Sequence, residues 1–195
     1  MRLILASRSP RRSELLARMG LRFEVRAVDV DETLRPGEAA ADYVVRLAVA
    51  KARGAFAGPD SDAITLGADT AVILDGRILG KPAGREEGTA MLLALSGRAH
   101  QVMTGIAVHA DTGTRSRCVA AEVRFRVIEA WEAEAYWQTG EGADKAGGYG
   151  IQGIGGIFAQ SVCGSYSAVV GLPVAETEEI LRDSGLDTWR ERIHA

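Results

Sequence analysis

Short apolar runs and stretches of helical spacing succeed one another along the chain, so strands and helices are expected to alternate. Leu3, Ile4, Leu5 and Ala6 predict a first buried strand. Ser9 and Pro10 then open a helix, because serine is a favoured N-cap and proline fits the first helical position. Leu15, Leu16 and Met19 line its apolar stripe, and Gly20 stops it. A second strand falls at 23–25. A long helix covers 39–56, with Val44, Leu47 and Ala48 on its apolar face. A turn at 59–62 leads to Ile64, Thr65 and Leu66, a run predicted to stop at Gly67 and to leave Asp69 at a strand end. Two further runs, 72–74 and 78–79, flank Asp75-Gly76, a dipeptide that favours a tight hairpin. That hairpin delivers Lys81, held between Gly80 and Pro82.

The second half continues in the same way. A helix over 85–95 carries Met91, Leu92 and Leu95 and ends at Ser96-Gly97. Strands over 98–108 and 115–127 are joined through 111–114. In the second of them Val123, Phe125 and Val127 alternate with Glu122, Arg124 and Arg126, the pattern of a half-buried antiparallel sheet. A short helix covers 131–138, a glycine-rich segment 139–156, a strand 157–162 and a turn 164–167. Pro173 opens a last helix with Val174, Thr177, Ile180 and Leu181 on one face, and residues 186–195 read as a polar, fraying end.

With 195 residues, 47% hydrophobic and 25% charged, the chain can bury a proper core. A net charge of −3 supplies no overall attraction to nucleic acid or to an anionic membrane, so a site for a polyanion must be local. Cys118 and Cys163 lie far apart and imply no disulfide framework, which suits a reducing cytoplasm. The apolar run at the N-terminus is too short for a signal peptide or a membrane span, so a cytoplasmic protein is expected.

Several charged positions break local rules. Arg11 and Arg12 occupy the first turn of a helix, with Arg8 nearby, where the helix dipole disfavours cations. Either they bind an anion, most naturally a phosphate, or they form a solvated basic patch. Asp29, Asp31 and Glu32 make an acidic loop, suited to a divalent cation or simply to water. Lys51 falls on the apolar face of its helix and needs an anionic partner there unless it snorkels outward. Between Asp144 and Gly153, glycines let backbone approach a ligand closely, and Gln152 offers donors and acceptors to a base edge; a loop shaped for folding alone would look alike. Other motifs fail. Gly148, Gly150 and Gly153 match a dinucleotide fingerprint without its strand and helix, and Gly76 to Pro82 misses the P-loop in spacing and in its last residue. His100, His109 and His194 lack metal-ligand spacing, and no nucleophile elbow, zinc finger or basic region is present. What is left is Glu32, Lys51, Asp69, Lys81 and the arginines, the mixture that magnesium-dependent chemistry on a polyphosphate requires.

Taken in order, these pieces resemble the Maf family of nucleotide pyrophosphatases. The likeness rests on Ala6-Ser7-Arg8-Ser9-Pro10-Arg11-Arg12 with Glu14-Leu15-Leu16, on Arg46-Leu47-Ala48 with Lys51-Ala52, and on Gly67-Ala68-Asp69-Thr70 with Gly80-Lys81-Pro82. Ser96-Gly97-Arg98 with His100, Val102 and Thr104-Gly105, Asp144-Lys145-Ala146-Gly147, and Val170-Gly171-Leu172-Pro173 complete it. The resemblance implies one Maf-like domain over 1–195: an α/β fold of two lobes, with an elongated mixed sheet flanked by helices and an active-site cleft between lobes, similar to inosine-triphosphate pyrophosphatases. It implies hydrolysis of nucleoside triphosphates to the monophosphate and pyrophosphate, with Mg²⁺ or alternatively Mn²⁺ or Co²⁺. Asp69 would be the catalytic position, and Glu32 with Asp69 the metal ligands. Ser7, Arg12, Lys51 and Lys81 would contact the triphosphate, and Arg11, Thr70 and Gln152 would discriminate the base. Thr70 and the Gly150-Ile151-Gln152-Gly153 run resemble the dTTP/UTP branch rather than the branch that acts on methylated GTP. A cytoplasmic homodimer without nucleic-acid or membrane partners is implied. So, as alternatives, are a non-catalytic nucleotide-binding regulator of cell division and septum formation, and a pyrophosphatase with another nucleotide preference, such as a modified pyrimidine triphosphate.

Overall fold

The computed structural model describes residues 1–56, 58 and 62–193. The expected turn at 59–62, apart from Asp62, lies outside the described residues, as does His194. The chain forms two compact units, one made of Met1–Asp69, Thr104–Val119 and Gly171–Ala195, the other of Thr70–Met103 and Ala120–Val170.

In the first unit the apolar run near the N-terminus becomes β1 (Arg2–Leu5). It pairs in parallel with β2 (Glu24–Val25) on one side and with β3 (Ala63–Leu74) on the other, Leu3 opposite Ile64 and Leu5 opposite Leu66. Helix α1 (Pro10–Arg18) follows β1, and α2 (Ala40–Ala55) precedes β3. Val44, Leu47 and Ala48 are fully buried, as the spacing predicts.

One expectation fails here. Strand β3 does not stop at Gly67; it continues for twelve residues and is buried along nearly its whole length. Gly67 is a packing position. A Cβ there would lie 2.2 Å from the Ala48 carbonyl oxygen and 2.7 Å from the Ala52 nitrogen, so only glycine lets the α2 backbone rest on the strand. Gly105, in β5 (Ala99–Ala110), does the same against Val44, where a Cβ would meet the carbonyl at 2.4 Å. Asp69 therefore projects from the middle of a strand clamped under α2.

The sheet is mixed and has seven strands, in the order β2-β1-β3-β5-β6-β7, with β4 paired to β3. Strand β4 (Arg77–Leu79) returns antiparallel to β3 through Asp75 and Gly76, both at positive φ (51° and 75°), as a two-residue hairpin with matching twist requires. Strand β6 (Gly113–Phe125) pairs antiparallel with β7 (Ala159–Gly164). The alternation in β6 ends at Phe125: Val127 is exposed, and Ile128 turns inward instead, because β6 has ended and Arg126 bonds the Phe158 carbonyl through its N–H.

The core of the second unit joins Val72 and Leu74 of β3, Leu92 and Leu95 of α3 (Arg85–Leu95), Val123 and Phe125 of β6, and Tyr136 of α4 (Ala130–Gln138). His100 is buried within it, its Nε2 2.8 Å from the Tyr149 hydroxyl and its ring edge-on to Phe125. Burial alone lowers its pKa to about 4. Residues 166–170, the first two of them expected in a turn, form the short helix α5 (Tyr166–Val170). Helix α6 (Val174–Asp183) follows Pro173 as its pattern predicts.

Within the end expected to fray, the described residues from Thr188 onward form a helix. Helix α7 (Thr188–Ile193) has no apolar stripe for a pattern to show, and hydrogen bonds hold it instead. Buried Thr188 donates to Glu178 at 2.6 Å, and Arg192 Nε donates to the Met19 carbonyl at 2.7 Å. No helix among the described residues is long and apolar enough to cross a membrane.

Candidate active site

The loop between β1 and α1 is tied down by its own side chains. Buried Ser7 accepts the Ser9 N–H at 3.2 Å and Arg12 Nη1 at 3.3 Å through its hydroxyl oxygen. Arg12 Nε donates to the Gly171 carbonyl at 2.9 Å, which joins this loop to the segment just before α6. Ser9 has the extended backbone of an N-cap, but its side chain makes no cap bond, and no acid lies in the first turn. Arg11 and Arg12 thus remain the charges at the start of α1, both half-buried. Burial lowers the Arg12 pKa from its ordinary value, Asp69 pulls it back up, Arg11 pushes it down again and Glu32 raises it. A guanidinium stays charged throughout, so the four groups form one electrostatic cluster. Arg8 departs from the expected trio: it is exposed and paired with Asp29 on the surface.

Lys51 is where the acids meet. Its Nζ lies 2.7 Å from Asp69 Oδ1 and 2.7 Å from Glu32 Oε1. The Asp69 and Lys51 side chains are each 12% exposed, whereas that of Glu32 is 47% exposed. The inward lysine therefore has an anionic partner and does not snorkel. Of the three loop acids only Glu32 reaches this point, since Asp29 pairs with Arg8 and Asp31 accepts the Thr33 N–H at 2.9 Å.

Two residues without an expected role shape the site. Arg46, on α2, donates Nη2 to the Thr33 carbonyl at 3.0 Å and to Glu38 Oε2 at 2.8 Å, and Nη1 to the Asp31 carbonyl at 3.4 Å. It fastens the chain on both sides of Glu32. Hydrogen bonding to Arg46 holds the Glu38 pKa down at about 2. Tyr43 donates its hydroxyl to the Glu32 carbonyl at 3.0 Å, with the Arg46 guanidinium over its ring. Burial, then the charges of Asp69 and Glu32, raise its pKa. Arg46 belongs to a recognisable run, but its partner Glu38 lies eight residues back with no helical spacing to reveal the pair.

The structure thus gathers Ser7, Arg11, Arg12, Glu32, Lys51 and Asp69 within the first unit. Thr70, Lys81 and Gln152 belong to the second: Thr70 half-buried in β3, Lys81 exposed after β4, Gln152 exposed in the glycine-rich segment. Chemically, the first-unit cluster offers a carboxylate for proton transfer or metal binding, a second carboxylate beside it, and cations for an oxyanion.

Comparison with known proteins fits this chemistry. The profile of a family described as Maf-like protein matches residues 2–184. The chain belongs to that family. Among its Maf-like relatives, the dTTP/UTP pyrophosphatase of Hahella chejuensis is 48% identical over 192 residues, spanning 97% of this chain and 96% of its own. The protein of the same name from Methylococcus capsulatus is 51% identical over 191 residues, 97% of this chain and 94% of its own. Among solved structures, the Staphylococcus aureus Ham1 protein aligns with a TM-score of 0.45 at 16% identity, over 64% of this Maf-like chain and 72% of its own.

Proposed function

We propose that this Maf-like protein is a nucleoside triphosphate pyrophosphatase acting on dTTP and UTP. The observation that carries the reading is the Lys51 ammonium held 2.7 Å from both a buried Asp69 and Glu32, in the unit that also holds the Ser7–Arg12 loop. The names of relatives 46–51% identical over nearly the whole chain support the choice of nucleotide.

In this reading Arg12, Lys51 and Lys81, with the Ser7 hydroxyl, hold the triphosphate oxygens. Asp69 takes the proton of a water that attacks the α-phosphorus. The bond from that phosphorus to the bridging oxygen breaks, and pyrophosphate leaves with the electron pair; the nucleoside keeps the α-phosphate. Arg11, Thr70 and Gln152 select the base. Glu32 and Asp69 fit a hard divalent cation such as Mg²⁺, or alternatively Mn²⁺ or Co²⁺, because two carboxylates of two different elements already converge on one cationic centre. Among the described residues no third acid, histidine or cysteine joins them, which suits a cation shared with substrate phosphates. Such a cation would supply charge neutralisation on the phosphates. The protein would act in the cytoplasm as a homodimer, and light scattering checks the dimer.

Incubation of the pure protein with dTTP or UTP and Mg²⁺, followed by separation of products, tests the proposal. The monophosphate and pyrophosphate are expected. Release of orthophosphate, or no turnover of either nucleotide, would overturn it.

A further inference from the structure

Glu141 stands at the head of the glycine-rich segment, and its carboxylate is taken up by the chain that follows. Oε2 accepts the Ile154 N–H at 2.8 Å, and Oε1 accepts the Gly155 N–H at 2.9 Å together with the Tyr136 hydroxyl at 2.8 Å. The same hydroxyl oxygen accepts the Gly150 N–H at 3.0 Å. One carboxylate and one phenol thereby hold both ends of the bend that carries Gln152. Between these ends the bend closes on itself, the Gly153 N–H donating to the Gly150 carbonyl at 3.2 Å. Burial works against a charge on Glu141, yet the bonds from Gly155, Tyr136 and Ile154 prevail and hold its pKa below the ordinary value.

The glycines follow from the same contact. A Cβ at 153 would lie 2.1 Å from Glu141 Oε2, and one at 150 would lie 2.9 Å from Oε1. The carboxylate cannot step aside, because its bonds fix it, so the bend must be bare backbone there. Successive N–H groups wrapped on an anion form a nest of the kind that binds phosphate elsewhere; here the chain fills it with its own side chain. Glutamine would serve poorly in this place. Its NH₂ would face an N–H donor, whereas both carboxylate oxygens accept.

We propose that Glu141 is a positioning residue for base selection: by holding residues 150–155 in one bend, it sets where the Gln152 amide stands. The proposal rests on the reading of Gln152 as a contact to the base. Selectivity is then fixed in part by a side chain that does not itself meet the nucleotide.

The test compares Glu141→Gln and Gln152→Ala with the parent enzyme in three measurements. These are amide exchange at Ile154 and Gly155, steady-state kinetics with dTTP and dCTP, and competitive inhibition by inorganic tripolyphosphate, which has no base. In Glu141→Gln both amides are expected to exchange faster. The dTTP KM should rise by about tenfold, kcat should stay within about threefold, and the dTTP:dCTP preference in kcat/KM should fall by about tenfold. Inhibition by tripolyphosphate should stay within about twofold, since a polyphosphate does not sense the bend. Gln152→Ala should lower the preference with both amides still protected. Unchanged exchange in Glu141→Gln overturns the proposal, as does a fall in kcat and tripolyphosphate affinity in step with KM. A preference that drops in Gln152→Ala but not in Glu141→Gln overturns the proposal alone. A preference unmoved in Gln152→Ala brings down the reading of Gln152 and the proposal with it. Should Glu141→Gln fail to fold, Tyr136→Phe takes its place: it removes the hydroxyl that joins Glu141 to Gly150 and keeps the ring in the core, so the Gly150 amide should exchange faster and the dTTP:dCTP preference should fall, and a preference unmoved by that loss overturns the proposal.

Discussion

Lys51 sits four residues after Leu47, so the helix face that builds the core also carries the ammonium on which Asp69 and Glu32 converge. Removing either member of the buried pair has different consequences. Asp69→Asn keeps the shape and leaves Lys51 with Glu32, so the fold should survive. It removes the proposed proton acceptor, and turnover of dTTP should fall by about 10²- to 10⁴-fold with little change in melting temperature. A variant that unfolds instead would show Asp69 to be structural. Lys51→Met, in contrast, takes the hydrogen-bonded ammonium from a carboxylate that is only 12% exposed and leaves it the charge of Arg12 without that bond. Urea denaturation should then show a loss of about 3–5 kcal/mol, the usual result of breaking a buried pair from one side. At this scale the sequence was informative wherever a charge broke a local rule: Arg12 in a helix first turn, Lys51 on an apolar face. It shows Arg46 only as part of a run and is silent on Glu141, because Arg46 meets an acid and carbonyls, and Glu141 meets N–H groups and a hydroxyl, at no periodic spacing.

Helix α2 and strand β3 meet at a glycine, and that contact governs the element scale. Gly67→Ala would place a methyl 2.2 Å from the Ala48 carbonyl oxygen, where the obstacle is backbone and cannot rotate away. The helix must lift off the strand, carrying Lys51 with it. Denaturation should show a loss of about 1–3 kcal/mol or more, together with weakened activity; an unperturbed enzyme would contradict the close approach. Helices with an apolar stripe bounded by proline or glycine, such as α1, α3 and α6, follow from their spacing, and so does the β3–β4 hairpin with its Asp-Gly. Gly67 reads as a stop because a glycine that ends a strand and a glycine that admits a neighbouring helix look identical in one dimension. Helix α7 leaves no mark in the apolar pattern because side-chain hydrogen bonds hold it rather than an apolar stripe.

Acid should weaken the whole molecule in two stages. His100 is buried, and its folded pKa of about 4 lies below the 6.5 of an ordinary histidine. The unfolded chain therefore gains that proton first, and stability falls between pH 6.5 and 4, by up to about 3 kcal/mol. Glu38 and Glu132, each held down at about 2 by an arginine, make contributions that are intact above the ordinary carboxylate pKa of 4.5 and vanish as pH falls towards 2. Urea titrations at several pH values should show both stages, and His100→Gln should abolish the first; an NMR titration of His100 near 6.5 would refute it. The division into units has a further consequence, for synthesis. The second unit lies wholly within residues 70–170, whereas the first needs Gly171–Ala195 as well as the start of the chain. Arg12 leaves the ribosome early but acquires the Gly171 carbonyl only after some 160 more residues, its partner being 159 positions away. The Ser7–Arg12 loop is thus among the last parts to be secured, and a nascent chain halted before that point carries every charged residue of the proposed site without the clamp that sets Arg12.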